Sequence, residues 1–280
     1  MQAKSDDVRT IELDLFVEAV ARRHGYDFRN YAKASLKRRV SALANRLGCA
    51  RIADLLPRVL HDDSLLPEIL NGLSVPVTKM FRDPPVFRGV RDHLFPYLST
   101  LPEITIWQAG CASGEEVYSL AILLAEAGLL ERSRILATDI NDAVLARAAA
   151  GVFSARMVED HQANFLESGG SGALSTHVTP FGNGVRMSAA IRDRITFSHH
   201  NLVSGVVFCQ ADLVVCRNVL IYFDRQLQDR VLGLFAESLG DNGFLCLGNK
   251  ENVVFSSAAP LFTPVDAELR LYRKKPDQKS

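Results

Sequence analysis

The chain has 280 residues, 48% hydrophobic and 23% charged, which excludes collagen-like and wholly disordered proteins and allows a large core. Lysine plus arginine total 32, as do aspartate plus glutamate, so the formal net charge is zero. That balance argues against a surface that coats nucleic acid, and no nucleic-acid partner is expected, although a local basic patch remains compatible with it.

Cys49, Cys111, Cys209, Cys216 and Cys246 contain no C-x-x-C pair, and His199 and His200 have no ligand set beside them. Neither a disulfide framework nor a metal site is expected. MQAKSDDVRT lacks the apolar core of a signal peptide, and runs such as Leu120 to Ala125 are too short to span a bilayer. A cytoplasmic protein without membrane insertion is expected, with a monomer as the default.

From Ile11 to about Leu70 the apolar residues recur at helical spacing, as in Leu36, Val40, Leu43 and Leu47. Residues 1–75 are therefore expected to form an N-terminal helical domain. Arg29, Lys33 and Lys37 make an i, i+4, i+8 basic stripe that Arg38 and Arg39 extend. It reads either as a solvated face or as a docking surface for an acidic helical partner. Val75-Pro76 and Asp83-Pro84-Pro85 break the pattern. Val86 to Phe95 then reads as a helix that stops at Pro96, so 76–100 is a linker with a lead-in helix.

Beyond residue 100 short apolar strands alternate with helices. Strands are predicted at Ile104 to Trp107, Ile135 to Thr138, Ile195 to Phe197, Leu213 to Cys216 and Phe244 to Leu247. Helices are predicted at Glu115 to Ala127, Asp142 to Ala150 and Arg225 to Leu239. This alternation predicts an α/β domain over 101–280 with a mostly parallel sheet covered on both faces. LFTPV and LRLYRKK predict a strand pair that adds an antiparallel edge. Residues from about 152 to 194 break the alternation, with ESGGSGALS, FGNG and short β-like pieces. They predict a small inserted β subdomain with a mobile tip.

In such sheets ligands bind beyond the carboxyl ends of the strands, near the point where strand order reverses. The loop after Trp107 reads A-G-C-A-S-G-E-E, where Gly110 and Gly114 let backbone approach a ligand. It is neither G-x-G-x-x-G nor a phosphate loop, and Glu115 and Glu116 would repel a pyrophosphate. The second strand ends in A-T-D-I-N, which places Asp139 to accept both hydroxyls of a ribose. Together these features describe S-adenosylmethionine better than a dinucleotide. Arg217, Asn218 and Tyr222 lie at or just beyond the end of a buried strand, and a buried arginine with a structural role requires a carboxylate partner.

The blocks VTKMFRDPPVF, IWQAGCASGEEVYSLAILL, ILATDINDAVLARAAAGVFS, HNL and CRNVLIYFDRQLQ together resemble the CheR-type chemoreceptor glutamate O-methyltransferases, over nearly the whole chain. The resemblance implies a class I methyltransferase fold, a doubly wound sheet with an N-terminal helical domain and a small inserted antiparallel β subdomain. S-adenosyl-L-methionine is the implied cofactor and S-adenosyl-L-homocysteine the product. Thr78, Arg82 and Glu116 are implied to contact the cofactor and Asp139 to hold its ribose. Asn201 and Leu202 would line the adenine side, and Arg217 and Asn218 would close the site. Arg82 and Tyr222 would lie nearest the transferred methyl as the catalytic residues. The basic stripe resembles the surface that meets the cytoplasmic helices of chemoreceptors.

Three departures from the family pattern stand out: Pro76 in place of an asparagine, Lys79 in place of a glutamate, and Gly248-Asn249-Lys250-Glu251 in place of G-H-S-E. They keep open the alternative of a non-catalytic signalling module that binds S-adenosylmethionine or S-adenosylhomocysteine and docks a receptor or partner protein.

Overall fold

The computed structural model describes residues 2–74 and 78–276, which divide into two units: 2–74 with Ile221–Gln228, and 78–220 with 229–276. Pro76 lies outside the described residues. The helical spacing of the first unit becomes α1 (Gln2–His24), α2 (Lys33–Arg46), α3 (Leu56–His61) and α4 (Leu66–Leu73). α3 and α4 each open on Leu-Pro, where the missing proline N–H costs no intrahelical bond. Phe16, Val20, Leu36, Val40, Leu43 and Ile69 share one apolar core, while Leu47, the last member of the α2 stripe, caps the helix and is half-buried.

Segment 221–228 joins this unit by backbone contacts. The Ala32 N–H donates to the Tyr222 carbonyl at 2.8 Å, and the Asp224 N–H to the Asn30 carbonyl at 2.8 Å. The rings of Tyr31 and Phe223 meet edge to face at 5.1 Å.

The second unit begins with α5 (Pro84–Gly89), which passes through a π turn, Val90–Leu94, into α6 (Phe95–Leu98). The expected stop at Pro96 is thus corrected. Proline removes an N–H and crowds the carbonyl four residues back, and the wider turn, with the Phe95 N–H on the Val90 carbonyl, absorbs this within a continuing helix.

Strands β1 (Ile104–Ala109) and β2 (Ser133–Asp139) follow, with α7 (Glu115–Glu126) and α8 (Asp142–Ala150) after them. An excursion holds β3 (Val152–Ser154), α9 (Arg156–Glu167), β4 (Val178–Phe181), β5 (Gly184–Met187) and α10 (Ala189–Arg192). The chain then makes β6 (Ile195–His199), β7 (Ala211–Cys216), α11 (Arg225–Ser238), β8 (Leu239–Leu247), β9 (Phe262–Asp266) and β10 (Leu271–Lys274).

The main sheet has the order β6-β2-β1-β7-β8-β10-β9, with β6 to β8 parallel and β10 antiparallel between β8 and β9. This is the doubly wound sheet expected. The final hairpin adds the antiparallel edge expected of it, with β10 interior and β9 outermost. Pro264 in β9 supplies the reason, since proline cannot donate to a ladder and is confined to edges. Strand β1 packs between β2 and β7, so its residues face helices on both sides and Ile106, Trp107 and Ala109 are fully buried.

The insertion is a three-stranded antiparallel sheet, β3-β5-β4. It also carries α9, which the glycine-rich flank hid from the sequence reading. Its glycine-rich tip makes contacts with the rest of the unit. The Glu126 carboxylate accepts from the Ser171 N–H at 3.1 Å and its hydroxyl at 3.0 Å, and Arg91 donates to the Gly169 carbonyl. Burial separates the members of the α2 stripe energetically. Leu43→Ala should cost about 2–5 kcal/mol and Leu47→Ala less than about 1 kcal/mol, measured by denaturant titration.

Candidate functional site

Because β6, β2, β1, β7 and β8 run parallel, the loops after them emerge at one edge of the sheet. The chain leaves β1 toward β2 on one side, and β7 lies on the other, so the order reverses between β1 and β7. Gly110, at φ 74°, sits at this point, where a Cβ would come within 2.5 Å of the Val219 side chain. The N–H groups of Gly110 and Cys111 both donate to the Thr138 carbonyl, at 2.8 and 2.9 Å. Gly114, at φ 94°, starts α7 against Ala148 and Tyr118.

Arg217 directly follows buried β7, and its side chain is 1% exposed. Nη1 lies 2.7 Å from Glu116 Oε2, and Nη2 lies 2.7 Å from Asp83 Oδ2. Nη1 also donates to the Arg82 carbonyl at 3.2 Å. The second oxygen of Glu116 accepts from Gln108 Nε2 at 2.8 Å. Burial alone would lower the Arg217 pKa, but the facing carboxylates outweigh it and hold the guanidinium charge above its ordinary range. The carboxylate partner demanded by a buried arginine is present twice. Arg217 Nε, Gln108 Oε1 and Asn218 Oδ1 are buried without a hydrogen-bond partner among the described residues.

Asp139 ends β2. Its Oδ2 accepts from the Ala112 N–H at 2.9 Å and its Oδ1 from the Asn141 N–H at 3.0 Å, which ties the loop after β1 to the loop after β2. An ionised carboxylate has about four acceptor positions, so two remain. Helix capping is done by Asn141, whose side chain accepts from the Ala143 N–H at 3.0 Å. Burial is the largest influence on Asp139 and raises its pKa despite the backbone donors. After β6, Asn201 Oδ1 accepts from the Val203 N–H at 2.9 Å, and Leu202 is buried.

Thr78 and Arg82 are half-buried in the segment before α5, and Lys79 is exposed. The Arg82 side chain has no hydrogen-bond or ion-pair partner among the described residues. Phe81 at φ 51° and Asp83 at φ 56° flank it in the left-handed region, as Ala112 at 47° and Asn218 at 61° do in their loops. Such conformations cost on the order of 1 kcal/mol or more each and persist only where surroundings over-determine them. Glu251 holds Asn218 in place: its Oε2 accepts from the Asn218 N–H at 3.0 Å and the Gly248 N–H at 2.7 Å. Asn249 and Lys250 between them are exposed.

The remaining predicted residues lie in the helical unit. Tyr222 carries the Arg39 guanidinium over its ring at 4.1 Å. Arg39 turns inward and donates to the Leu73 carbonyl at 2.6 Å. Arg29 lies in the turn before α2 rather than on it, paired with Asp27 at 2.7 Å and Glu18 at 3.1 Å. Lys33 faces Asp14 at 3.2 Å, Lys37 is half-buried and Arg38 is exposed.

Asp83, Gln108 and Glu251 were missed as site residues. The need of Arg217 for a carboxylate was the signal that pointed to Asp83, which already stood in the FRDPP block. Among the described residues no cluster of His, Cys, Asp and Glu is arranged to hold a metal, and no helix is long and apolar enough to cross a membrane.

The family model for the CheR methyltransferase SAM-binding domain matches residues 76–268, and that for the CheR methyltransferase all-alpha domain matches residues 11–74. A Pseudomonas putida protein named Cher3 is 46% identical over 265 residues, 94% of this chain and 97% of that one. The chemotaxis protein methyltransferase of Listeria monocytogenes is 29% identical over 247 residues, 85% of this chain and 89% of that one. An uncharacterised 104.1 kDa protein of Rhodobacter capsulatus is 33% identical over 253 residues, which are 86% of this chain and 25% of that one.

The site fits the matched cofactor. The free acceptor positions of Asp139 suit a diol, and the orphaned Asn218 Oδ1 and Gln108 Oε1 suit an ammonium donor. Because burial raises the Asp139 pKa, the folded protein binds that proton more tightly than the unfolded chain. The linked stability is present at low pH and is lost as pH rises through the folded value. Asp139→Asn should therefore flatten the fall in melting temperature that begins as pH rises above the ordinary aspartate value of about 3.9. The same variant should weaken S-adenosylhomocysteine binding at least about tenfold, read by calorimetry.

Proposed function

We propose that this chain, which belongs to the CheR methyltransferase family, methylates glutamate side chains on the cytoplasmic helices of chemoreceptors. The observation that carries this reading is the constellation at the strand-order reversal: a glycine-bearing acidic loop, Asp139 at the end of β2 and the Arg217 cluster, with no phosphate anchor. Relatives named as chemotaxis protein methyltransferases support the substrate class.

When bound, S-adenosylmethionine supplies a methyl group made electrophilic by its sulfonium. The acceptor carboxylate, with an ordinary pKa of about 4.3, is already ionised near neutrality, so the chain needs no general base. Its residues instead bind, align and exclude water. Asp139 accepts from the ribose hydroxyls, and Asn201 and Leu202 line the adenine side. Thr78, Gly110, Glu116, Arg217 and Asn218 surround the amino-acid part. Arg82, whose guanidinium is uncommitted, holds the acceptor carboxylate. The basic residues Arg29, Lys33, Lys37 and Arg38 meet the acidic receptor helices, whereas Arg39 is turned onto Tyr222 and the Leu73 carbonyl.

Alkali-labile methyl label on receptor-bearing membranes of the source organism tests this directly. Label is expected with the wild type; its absence from protein that binds S-adenosylhomocysteine tightly would favour the non-catalytic module. Arg82→Ala should lower turnover about a hundredfold while changing S-adenosylhomocysteine affinity less than about threefold. Equal losses in both would sink its role.

A further inference from the structure

We propose that Asp83 is a positioning residue for methyl transfer, acting through Arg217 to hold the backbone that presents Arg82. This inference rests on the reading of Arg82 as the residue that holds the acceptor.

The turn Phe81-Arg82-Asp83 is fastened at each residue by groups far away in sequence. Phe81 donates its N–H to Ser119 Oγ at 2.8 Å. Its buried ring packs against Phe87 and Phe165, with centroids at 5.7 and 5.2 Å. Ser119 is itself fixed by donating to the Glu115 carbonyl at 2.7 Å. The Arg82 carbonyl and the Asp83 carboxylate are then gripped by the two terminal nitrogens of one guanidinium, that of Arg217. Arg217 is held in turn by Glu116 from the first turn of α7.

Residues 81 and 83 are both in the left-handed region, which aspartate tolerates but a bulky phenylalanine does not adopt readily without support. Pro84 adds to this by disfavouring the right-handed helical region for Asp83. The result is a residue whose backbone is over-determined and whose side chain is left uncommitted. That is the arrangement required to aim a long arginine at a small target.

The charge of Asp83 is the replaceable part of this grip. Phe81 is held by packing, and Glu116 is the inner, more buried partner of Arg217, whereas the Asp83 side chain is 34% exposed and can be changed with less risk to the fold. Asp83→Asn keeps the shape and one acceptor but removes the ion pair, so the turn should sample other conformations while the rest of the site persists.

The test is a double-mutant cycle of Asp83→Asn and Arg82→Ala. It reads kcat for methyl transfer to receptor-bearing membranes and S-adenosylhomocysteine affinity by calorimetry. Asp83→Asn is expected to lower kcat about tenfold and to change the affinity less than about threefold. In the Arg82→Ala background the same change should cost less than about twofold, because the group it positions is gone. Asp83→Glu, which retains the charge, should be faster than Asp83→Asn. If Asp83→Asn does not fold, the loss caused by Asp83→Glu is compared in the same two backgrounds.

Equal losses in both backgrounds, or an unchanged kcat, would overturn the inference while leaving the role of Arg82 standing. A wild type that transfers no methyl group, or an Arg82→Ala variant at full speed, would remove the underlying reading and this inference with it.

Discussion

One buried guanidinium constrains the whole working edge of the sheet. Arg217 follows a strand flanked by two others, so its side chain cannot reach bulk water and its charge must be met inside. Glu116 and Asp83 meet it, and Gln108 satisfies the other oxygen of Glu116. Removing the buried partner Glu116 should cost about 3–5 kcal/mol, because the guanidinium is left with only the part-exposed Asp83, and removing Asp83 should cost less. The pre-sheet turn, the start of α7 and the end of β7 are therefore tied to one another, though more than a hundred residues separate Glu116 from Arg217.

The same tie explains where the backbone is strained. Four of the left-handed, non-glycine residues, Phe81, Asp83, Ala112 and Asn218, belong to loops at this edge. Each is held by contacts from another element. Ala112 donates to Asp139, Asn218 to Glu251, Phe81 to Ser119, and Asp83 accepts from Arg217. Strain concentrated in this way trades stability for placement: the fold spends free energy to keep side chains such as Arg82 and backbone groups such as the Ala112 N–H in position. Asp139 is likewise held against its own solvation, since burial raises its pKa despite its backbone donors.

Much of this was legible in the residues themselves. Alternating apolar runs marked the doubly wound sheet, because parallel strands buried on both faces need continuous hydrophobic segments. Gly110, Gly114 and Asp139 marked the loops at the carboxyl ends of the strands, because such loops in a parallel sheet converge at one edge. Membership of the CheR methyltransferase family agrees with that reading.

Local pattern thus determined which segments become strands and helices, which loops follow the parallel strands and that Arg217 needs an acid, since each follows from neighbouring residues and general rules of burial. Tertiary structure alone decided which acids answer that need, that β10 rather than β9 pairs with β8, and that the glycine-rich loop after α9 is held by Glu126. It also decided that Arg39 packs on Tyr222 instead of facing solvent. These outcomes depend on pairings between residues tens to more than a hundred positions apart, and a one-dimensional pattern carries the demand for a partner but not the partner's address.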